Sequence, residues 1–163
     1  MIKTTDICDH FSGQIQIAEP LFHNFGGASA FHGPVSTLKL FEDNVLLREA
    51  VQQAGKGRVL VVDGGGSLRH ALMGDMLAAM ALENGWAGVL INGCIRDAAE
   101  ISDLNLGVRA LATMPLKSLK KGEGERDIQI RFAGVNFQPG DYLYADADGI
   151  VVASSAIHEA LLE

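Results

Sequence analysis

The chain has 163 residues, of which 48% are apolar, and a formal net charge of −7 at pH 7. We expect one domain, residues 1–163, around a single core. No apolar run approaches the roughly 20 residues of a membrane helix, and the acidic balance opposes direct binding to nucleic acid. The N-terminal residues lack the apolar stretch of a secretory signal, and Cys8 and Cys94 are too few for a disulfide framework. These features predict a soluble, cytoplasmic protein.

The first elements in chain order are predicted to be a strand, a helix and a second, buried strand. Residues 35–40 alternate in polarity, as the residues of a strand do. Asp43 or Asn44 is then placed to cap a helix that ends at Gly55. Residues 58–63 (RVLVVD) form a β-branched run, typical of a strand that is covered on both faces. Together these elements indicate a βαβ unit with a parallel sheet.

A second helix and a third strand follow a run of three glycines. The segment 74–85 (GDMLAAMALENG) predicts a buried helix with Asp75 as its cap. Residues 88–92 predict another buried strand. Asp97, with Glu100 three residues later, has the pattern of a capping box at the start of a short helix.

The C-terminal third is predicted to be rich in antiparallel strands. Residues 127–132 alternate at period two, and a Pro-Gly turn precedes two further strands at 142–144 and 149–153. Ser154 or Ser155 is placed to cap a last short helix. The fold class is therefore α/β, with a parallel βαβ centre and added antiparallel strands.

Two polar clusters follow neighbouring buried strands, at the edge where open α/β sheets bind their ligands. In the first cluster, the amides of Met76 and Leu77 at a helix start can hold a carboxylate or enolate oxygen, and Gly74 lets the ligand approach the backbone. In the second, Arg96 offers a planar fork for a carboxylate, and Asp97 offers a hard oxygen ligand for a divalent cation. The pattern indicates a metal-dependent site for a small oxo acid.

Structural roles are also open for the charged members of these clusters. Asp75 and Asp97 are each placed to be an ordinary helix cap, and Arg96 to be a surface arginine. Their spacing alone does not decide between structure and catalysis.

Other polar residues are assigned no role in the site. Lys117, Lys120 and Lys121 form a cationic cluster that we interpret as a solvated loop. No lysine is placed in the predicted crevice, which argues against a Schiff-base aldolase. No two histidines show the helical spacing of a zinc site.

Motifs along almost the whole chain resemble the RraA-like family: AEPLF, NFGG, FED, RVLVVDGGGS and PGDYLYADADGI. That family contains regulators of ribonuclease activity and class II 4-hydroxy-4-methyl-2-oxoglutarate aldolases, which also decarboxylate oxaloacetate. The aldolases are marked by an Asp, twenty intervening residues and then Arg-Asp. Asp75 and the pair Arg96-Asp97 match that spacing.

The resemblance implies a swivelling β/β/α-like layered fold and a homotrimer with active sites between subunits. It implies that the metal, Mg²⁺ or Mn²⁺, is held by Asp97, largely through water, and that Asp75 and Arg96 are catalytic. Substrate contacts are implied for Gly74, Asp75, Met76, Leu77 and Arg96. Longer aldolases add an acidic residue from a neighbour's C-terminal extension, which this chain is expected to lack. One pyruvate enolate explains both aldol cleavage and decarboxylation.

Two functions other than a lyase are kept as hypotheses. In the first, the acidic surface binds a ribonuclease or its basic scaffold, and Asp75, Arg96 and Asp97 are dispensable. In the second, the protein is a phosphohistidine carrier, because GGGSLRHA around His70 resembles the histidine turn of swivelling phosphohistidine domains.

Overall fold

One sheet of parallel and antiparallel strands carries the site. The computed structural model describes residues 1–162. The elements in chain order are α1 (Thr4–Phe11), β1 (Ile15–Ile17), β2 (His23–Asn24), β3 (Phe31–Lys39), α2 (Val45–Val51), β4 (Val59–Asp63), β5 (Ala71–Met73), α3 (Asp75–Glu83), β6 (Gly88–Ile95), α4 (Ala98–Ser102), β7 (Gly107–Thr113), β8 (Glu125–Arg126), β9 (Ile130–Phe132), β10 (Val135–Phe137), β11 (Tyr142–Asp146), β12 (Gly149–Ala153) and a 3₁₀ helix (Ile157–Leu161). The predicted α/β class is confirmed.

The long strand β3 joins the parallel and antiparallel parts of the sheet. Its first half, from Phe31 to Pro34, pairs antiparallel with β11, and its second half, from Val35 to Lys39, pairs parallel with β4. The parallel part continues from β4 to β6 and β7, with β5 beside the end of β6. The antiparallel part continues from β11 to β12 and β1.

Strand β4 is buried on both faces, as its uninterrupted apolar run predicts. Leu60 and Val62 pack into the core cluster on the side of α2 and α3. Val59 and Val61 pack into a second cluster with residues of the β9–β10 hairpin and of β11 and β12. Because both faces of the parallel strands are covered, the strand ends form the accessible edge of the sheet. No helix in the described part of the chain is long and apolar enough to cross a membrane.

Six strands were not predicted, and two of them, β5 and β7, lead into the site. Strand β7 has no simple alternation, because Val108, Arg109 and Ala110 are all buried. Strand β5 has only three residues, too few for a sequence pattern. It forms because β6 extends beyond the predicted 88–92 to Ile95 and so provides a parallel partner for it.

Smaller differences concern the ends of elements. Helix α2 ends at Val51, before the predicted stop at Gly55. Only Ile130–Phe132 of the predicted strand 127–132 forms a strand, and Asp127 has a left-handed backbone with φ of 58°. The last helix is a 3₁₀ helix with Ala156 at its start, so the capping role predicted for Ser154 or Ser155 is wrong.

Candidate functional site

A small cavity opens at the carboxyl ends of β5 and β6, at the predicted edge of the sheet. Its volume is about 90 Å³. The six residues named from the sequence all line it: Gly74, Asp75, Met76, Leu77, Arg96 and Asp97. Their roles in catalysis and binding remain predictions.

The pairing of β5 with β6 brings the two polar clusters together. Strand β5 ends at Met73, and Gly74 then leads into α3, whereas β6 ends at Ile95 and Arg96 leads towards α4. The amide of Arg96 donates a hydrogen bond to the carbonyl of Met73 at 2.9 Å. The two chain segments that follow the strands are therefore joined at the first residue after β6.

The Asp97 carboxylate crosses from one segment to the other. Its Oδ2 accepts a hydrogen bond from the amide of Asp75 at 3.1 Å, at the start of α3. Asp97 adopts a left-handed backbone, with φ of 56° and ψ of 44°, and makes no side-chain cap bond to its own helix. The predicted capping box with Glu100 is therefore wrong, because the carboxylate caps the neighbouring helix instead.

Asp75 is not a helix cap either. Gly74 occupies the position before α3, and Asp75 is the first residue of the helix itself. Its own amide is held by Asp97, while its side chain is partly exposed and lines the cavity. The cap interpretation of Asp75 is thus wrong, and its carboxylate lies beside any ligand in the cavity.

Gly74 leaves space for the Asp97 carboxylate, which lies close to its Cα. A Cβ atom there would lie 2.6 Å from Asp97 Oδ2 and 3.4 Å from Arg96 Cγ. A carbon–oxygen distance that short is repulsive, so a side chain at this position would displace the carboxylate.

Lys117 and Lys120 also line the cavity, together with Ser118. The loop is solvated, as predicted, but its placement outside the crevice is wrong. The error follows from the missed strand β7, because the loop begins just after β7 ends, at the same edge of the sheet as the other clusters. Both lysine side chains belong to exposed residues, so they lack the desolvation that activates a Schiff-base lysine.

Helix α2 adds two residues that the sequence did not single out. Asn44 precedes the helix, and its Nδ2 donates a hydrogen bond to the carbonyl of Leu72 in β5 at 3.2 Å. Arg48 lies one turn further along and lines the cavity with Asn44. An isolated arginine in an amphipathic helix gives no signal of a binding site, so only the packing of α2 against β5 shows this role.

The cavity carries an excess of positive charge. Four cationic side chains line it, and only Asp75 and Asp97 are anionic. The cations are Arg48, Arg96, Lys117 and Lys120. Within residues 1–162 the ion pairs are Arg69–Glu42 and Arg126–Glu49, so none of these four is neutralised by a carboxylate within salt-bridge distance. Arg96 donates one weak hydrogen bond, from Nη1 to the carbonyl of Pro115 at 3.4 Å. This arrangement suits a ligand with more than one negative charge.

The donor set also fits a hydrated divalent cation. Two carboxylates line the cavity, and within residues 1–162 no cluster of three or more His, Cys, Asp or Glu side chains is placed to enclose a metal. Mg²⁺ is commonly held by one or two carboxylates and several waters, whereas zinc is usually held by His or Cys ligands. The residues present therefore fit Mg²⁺ or Mn²⁺ better than zinc.

His70 lies just before β5, and its Nδ1 is 2.8 Å from the carbonyl oxygen of Lys117. Because a carbonyl only accepts, the ring donates from Nδ1 and leaves Nε2 without a proton in the neutral form. His70 does not line the cavity. The phosphohistidine hypothesis stays a hypothesis.

The RraA-like family model, described as Aldolase/RraA, matches residues 4–152. The chain belongs to the RraA-like family. A relative from Alkalilimnicola ehrlichii is 57% identical over 159 residues, covering 98% of this chain and 99% of that protein. A relative from Dechloromonas aromatica is 51% identical, covering 95% and 98%. Both carry the provisional name 4-hydroxy-4-methyl-2-oxoglutarate aldolase.

Solved structures of the RraA-like fold carry different functional descriptions. A Geobacillus kaustophilus protein described as an S-adenosylmethionine:2-dimethylmenaquinone methyltransferase has a TM-score of 0.95 and 52% identity, covering 97% of this chain and 98% of that one. The RNA-processing inhibitor RraA from Thermus thermophilis has a TM-score of 0.92 and 44% identity, covering 95% and 94%. The relatives' names support a lyase, but the fold alone does not select among these activities.

We predict that Gly74→Ala weakens binding of a small carboxylate such as pyruvate by about tenfold or more, because the new Cβ displaces the Asp97 carboxylate. Isothermal titration calorimetry in the presence of Mg²⁺ measures this effect. Gly13→Ala is the matched control, since its Cβ meets nothing within 4 Å. Equal affinity in the Gly74→Ala and Gly13→Ala variants would show that the approach of Asp97 to Gly74 is irrelevant to binding.

Proposed function

We propose that this protein is a divalent-cation-dependent carbon–carbon lyase for small 2-oxo dicarboxylic acids. Its substrates are 4-hydroxy-4-methyl-2-oxoglutarate, which it cleaves to pyruvate, and oxaloacetate, which it decarboxylates. The observation that carries the proposal is the cavity itself, where Arg96, Asp75, Asp97 and the start of α3 meet beside three further cations. The provisional names of relatives at 51–57% identity support the aldolase activity.

Binding of the 2-oxo acid is assigned to the groups at the two segment ends. Arg96 has a planar guanidinium with N–H groups available for a carboxylate or the 2-oxo oxygen. The amides of Met76 and Leu77 lie in the first turn of α3, where backbone N–H groups have no partner within the helix and favour an anion. Together they fix the reacting end of the substrate close to Asp75.

Asp97, with Asp75 nearby, would hold the divalent cation, largely through water. When bound, the cation supplies a fixed positive charge that stabilises the negative charge developing on the 2-oxo group. Asp97 also keeps its hydrogen bond to the amide of Asp75, which orients the carboxylate within the cavity.

Asp75 is assigned the proton transfer. As the bond between C3 and C4 of the hydroxy acid breaks, the 4-hydroxyl proton passes to the Asp75 carboxylate, directly or through one water. C4 becomes the carbonyl carbon of one product, and the bonding electrons remain on C3 as a pyruvate enolate. Transfer of that proton from Asp75 to C3, directly or through one water, gives pyruvate and restores the Asp75 carboxylate. Decarboxylation of oxaloacetate gives the same enolate, because the electrons of the bond to the departing carbon dioxide remain on C3.

The second carboxylate of the substrate explains the remaining cations. Arg48, Lys117 and Lys120 line the cavity and have no anionic partner in the described residues. A methyltransferase reaction fits less well, because S-adenosylmethionine carries a sulfonium cation, which the four cationic side chains of the cavity would repel.

A coupled assay of pyruvate release tests the proposal. We expect the purified protein to release pyruvate from 4-hydroxy-4-methyl-2-oxoglutarate, oxaloacetate or both when Mg²⁺ or Mn²⁺ is present, and to lose the activity with a chelator. A second set of reactions contains borohydride, which traps any substrate that forms a Schiff base with a lysine. Full activity after exhaustive metal removal, or a trapped adduct on Lys117 or Lys120, would overturn the mechanism in favour of Schiff-base chemistry.

Substitutions separate the assigned roles. Asp75→Asn should lower kcat by about 10² or more, because the amide cannot accept the proton, while losing only about 0.3–1 kcal/mol of helix-dipole stabilisation. Arg96→Lys should mainly raise KM, since it keeps the charge and loses the planar fork. Asp97→Ala should lose the metal-dependent activity.

Asp103→Asn at the exposed end of α4 is the control for these substitutions. Steady-state kinetics and thermal melts are compared across the variants. A folded Asp75→Asn variant with the kcat of the unsubstituted protein would remove Asp75 from the mechanism.

The surface around the cavity supports the proposed homotrimer. Large apolar side chains on the segments near this end of the sheet are 45–75% exposed. They belong to Phe41, Leu68, Met76, Leu116 and Leu119. A neighbouring subunit packed on these residues would cover them and close the cavity, which has a small volume in one chain.

Light scattering at micromolar concentration should give the mass of three chains. Leu116→Asp, which places a charge in the proposed interface, should shift the mass towards one chain. Leu162→Asp is the control, because Leu162 is exposed but outside this group. A monomer in the unsubstituted protein would contradict the trimer.

A second candidate function is inhibition of RNA processing, supported by the RraA structure at 44% identity. The net charge of −7 suits a basic partner. This function would not need Asp75, Arg96 or Asp97, so ribonuclease inhibition that survives Asp97→Ala distinguishes it from the lyase. The cytoplasmic location remains a prediction.

A further inference from the structure

The loop that carries Lys117 and Lys120 is fastened by a carboxylate outside the cavity. Asp43 is 2% exposed and does not line the cavity. Its Oδ2 accepts hydrogen bonds from the amides of Lys121 at 2.8 Å and Glu123 at 3.2 Å. Its Oδ1 accepts from the amide of Val45, at the start of α2, at 3.1 Å. One side chain thus joins the lysine loop to the helix that carries Arg48.

The charge of Asp43 is part of this contact. Burial opposes ionisation, but the backbone N–H groups of Val45, Glu123 and Lys121 outweigh it and lower the pKa of the Asp43 carboxyl. An ionised carboxylate only accepts hydrogen bonds, which suits a ring of three donors. Asparagine in its place would turn an N–H₂ group towards at least one of these donors.

The rest of the loop is held by backbone contacts beside Asp43. The amide of Leu119 donates to the carbonyl of Glu42 at 2.8 Å, and the amide of Asn44 donates to the carbonyl of Leu119 at 3.3 Å. Ser118 Oγ donates to the carbonyl of Ala71 at 2.7 Å. By contrast, the described residues offer the side chains of Lys117 and Lys120 no ion pair. The place of their charges therefore depends on the backbone of the loop.

We infer that Asp43 is a positioning residue for the second carboxylate of the substrate: it fixes Lys117 and Lys120 relative to Arg48 across the cavity. The inference rests on the proposed function for the identity of the substrate. It explains why an acidic side chain is buried beside a cation-lined site without touching the ligand. Asp43 acts on affinity, because the lysines and Arg48 are assigned to the second carboxylate and not to the bond-breaking step.

The contact itself is tested without any substrate. In Asp43→Asn, hydrogen exchange followed by NMR should be about tenfold or more faster at the amide of Val45 or at the amides of Lys121 and Glu123, whichever face the N–H₂ group, with the amides of α3 unchanged. The matched control is Asp141→Asn, because Asp141 Oδ2 accepts from the amide of Gln138 in an exposed turn. Unchanged exchange at all three amides would overturn the inference, whatever the enzyme activity is.

The effect on the substrate is tested by a double-mutant cycle with oxaloacetate and Mg²⁺. Asp43→Asn should raise KM by about tenfold with a smaller change in kcat. The same substitution added to Lys117→Ala/Lys120→Ala should raise KM little further, because the positioned groups are already gone. A fully additive rise in KM would overturn the inference. If the unsubstituted protein releases no pyruvate, the proposed function fails and the exchange experiment still decides the contact.

Asp43→Glu is the conservative variant in both experiments. It keeps an ionised acceptor, displaced by one methylene group, and should retain more amide protection and a lower KM than Asp43→Asn. Equal losses in the two variants would contradict the role of the charge. If circular dichroism shows that Asp43→Asn does not fold, Asp43→Glu takes its place in the exchange experiment and in the double-mutant cycle with the lysine double variant. The expected and contradicting results are then the same.

Discussion

The hydrogen bond from the Asp75 amide to the Asp97 carboxylate joins two chain segments through residues that are 22 positions apart in the sequence. It exists because β5 lies beside the end of β6, so that the turns after these strands begin at the same place. Gly74 gives the carboxylate the space it needs. The left-handed backbone of Asp97, a conformation that costs of order 1–3 kcal/mol outside glycine, directs its side chain to α3 rather than to its own helix.

This arrangement leaves each polar group with a different task. Asp97 is engaged by a backbone donor, whereas the Asp75 side chain, with its own amide occupied, lines the cavity. Arg96 is anchored to β5 through its backbone amide, which leaves most of its guanidinium for a ligand. The position of each group is thus fixed by main-chain contacts, as a site that must hold reacting atoms in register requires.

Local charge and net charge have opposite signs in this protein. The chain as a whole carries −7, yet the cavity is lined by four cations and two carboxylates. Cations in a small, partly enclosed space raise the local concentration of an anionic substrate. The net charge argues against nucleic acid as a partner, but it gives no information about the charge of the cavity.

The sequence predicted the central strands and the six residues at the strand ends because both leave local patterns. Strand β4 is a continuous apolar run, and Asp75 and Arg96-Asp97 sit at the spacing of a family motif. The contributions of Lys117, Lys120 and Arg48 leave no such pattern. They depend on β7, whose residues do not alternate, and on β5, which is too short to give a pattern. They also depend on the packing of α2, which only the tertiary structure determines.

The central claim is that this cavity forms and protonates a pyruvate enolate. Because protonation of the enolate is reversible, the protein with Mg²⁺ in deuterated water should exchange the methyl protons of added pyruvate for deuterium, without any aldol substrate. Proton NMR follows the loss of the methyl signal over time. The account predicts exchange well above the rate with Mg²⁺ alone, and a return to that rate in Asp97→Ala or with chelator. A methyl signal that decays no faster with the protein than without it would contradict the account.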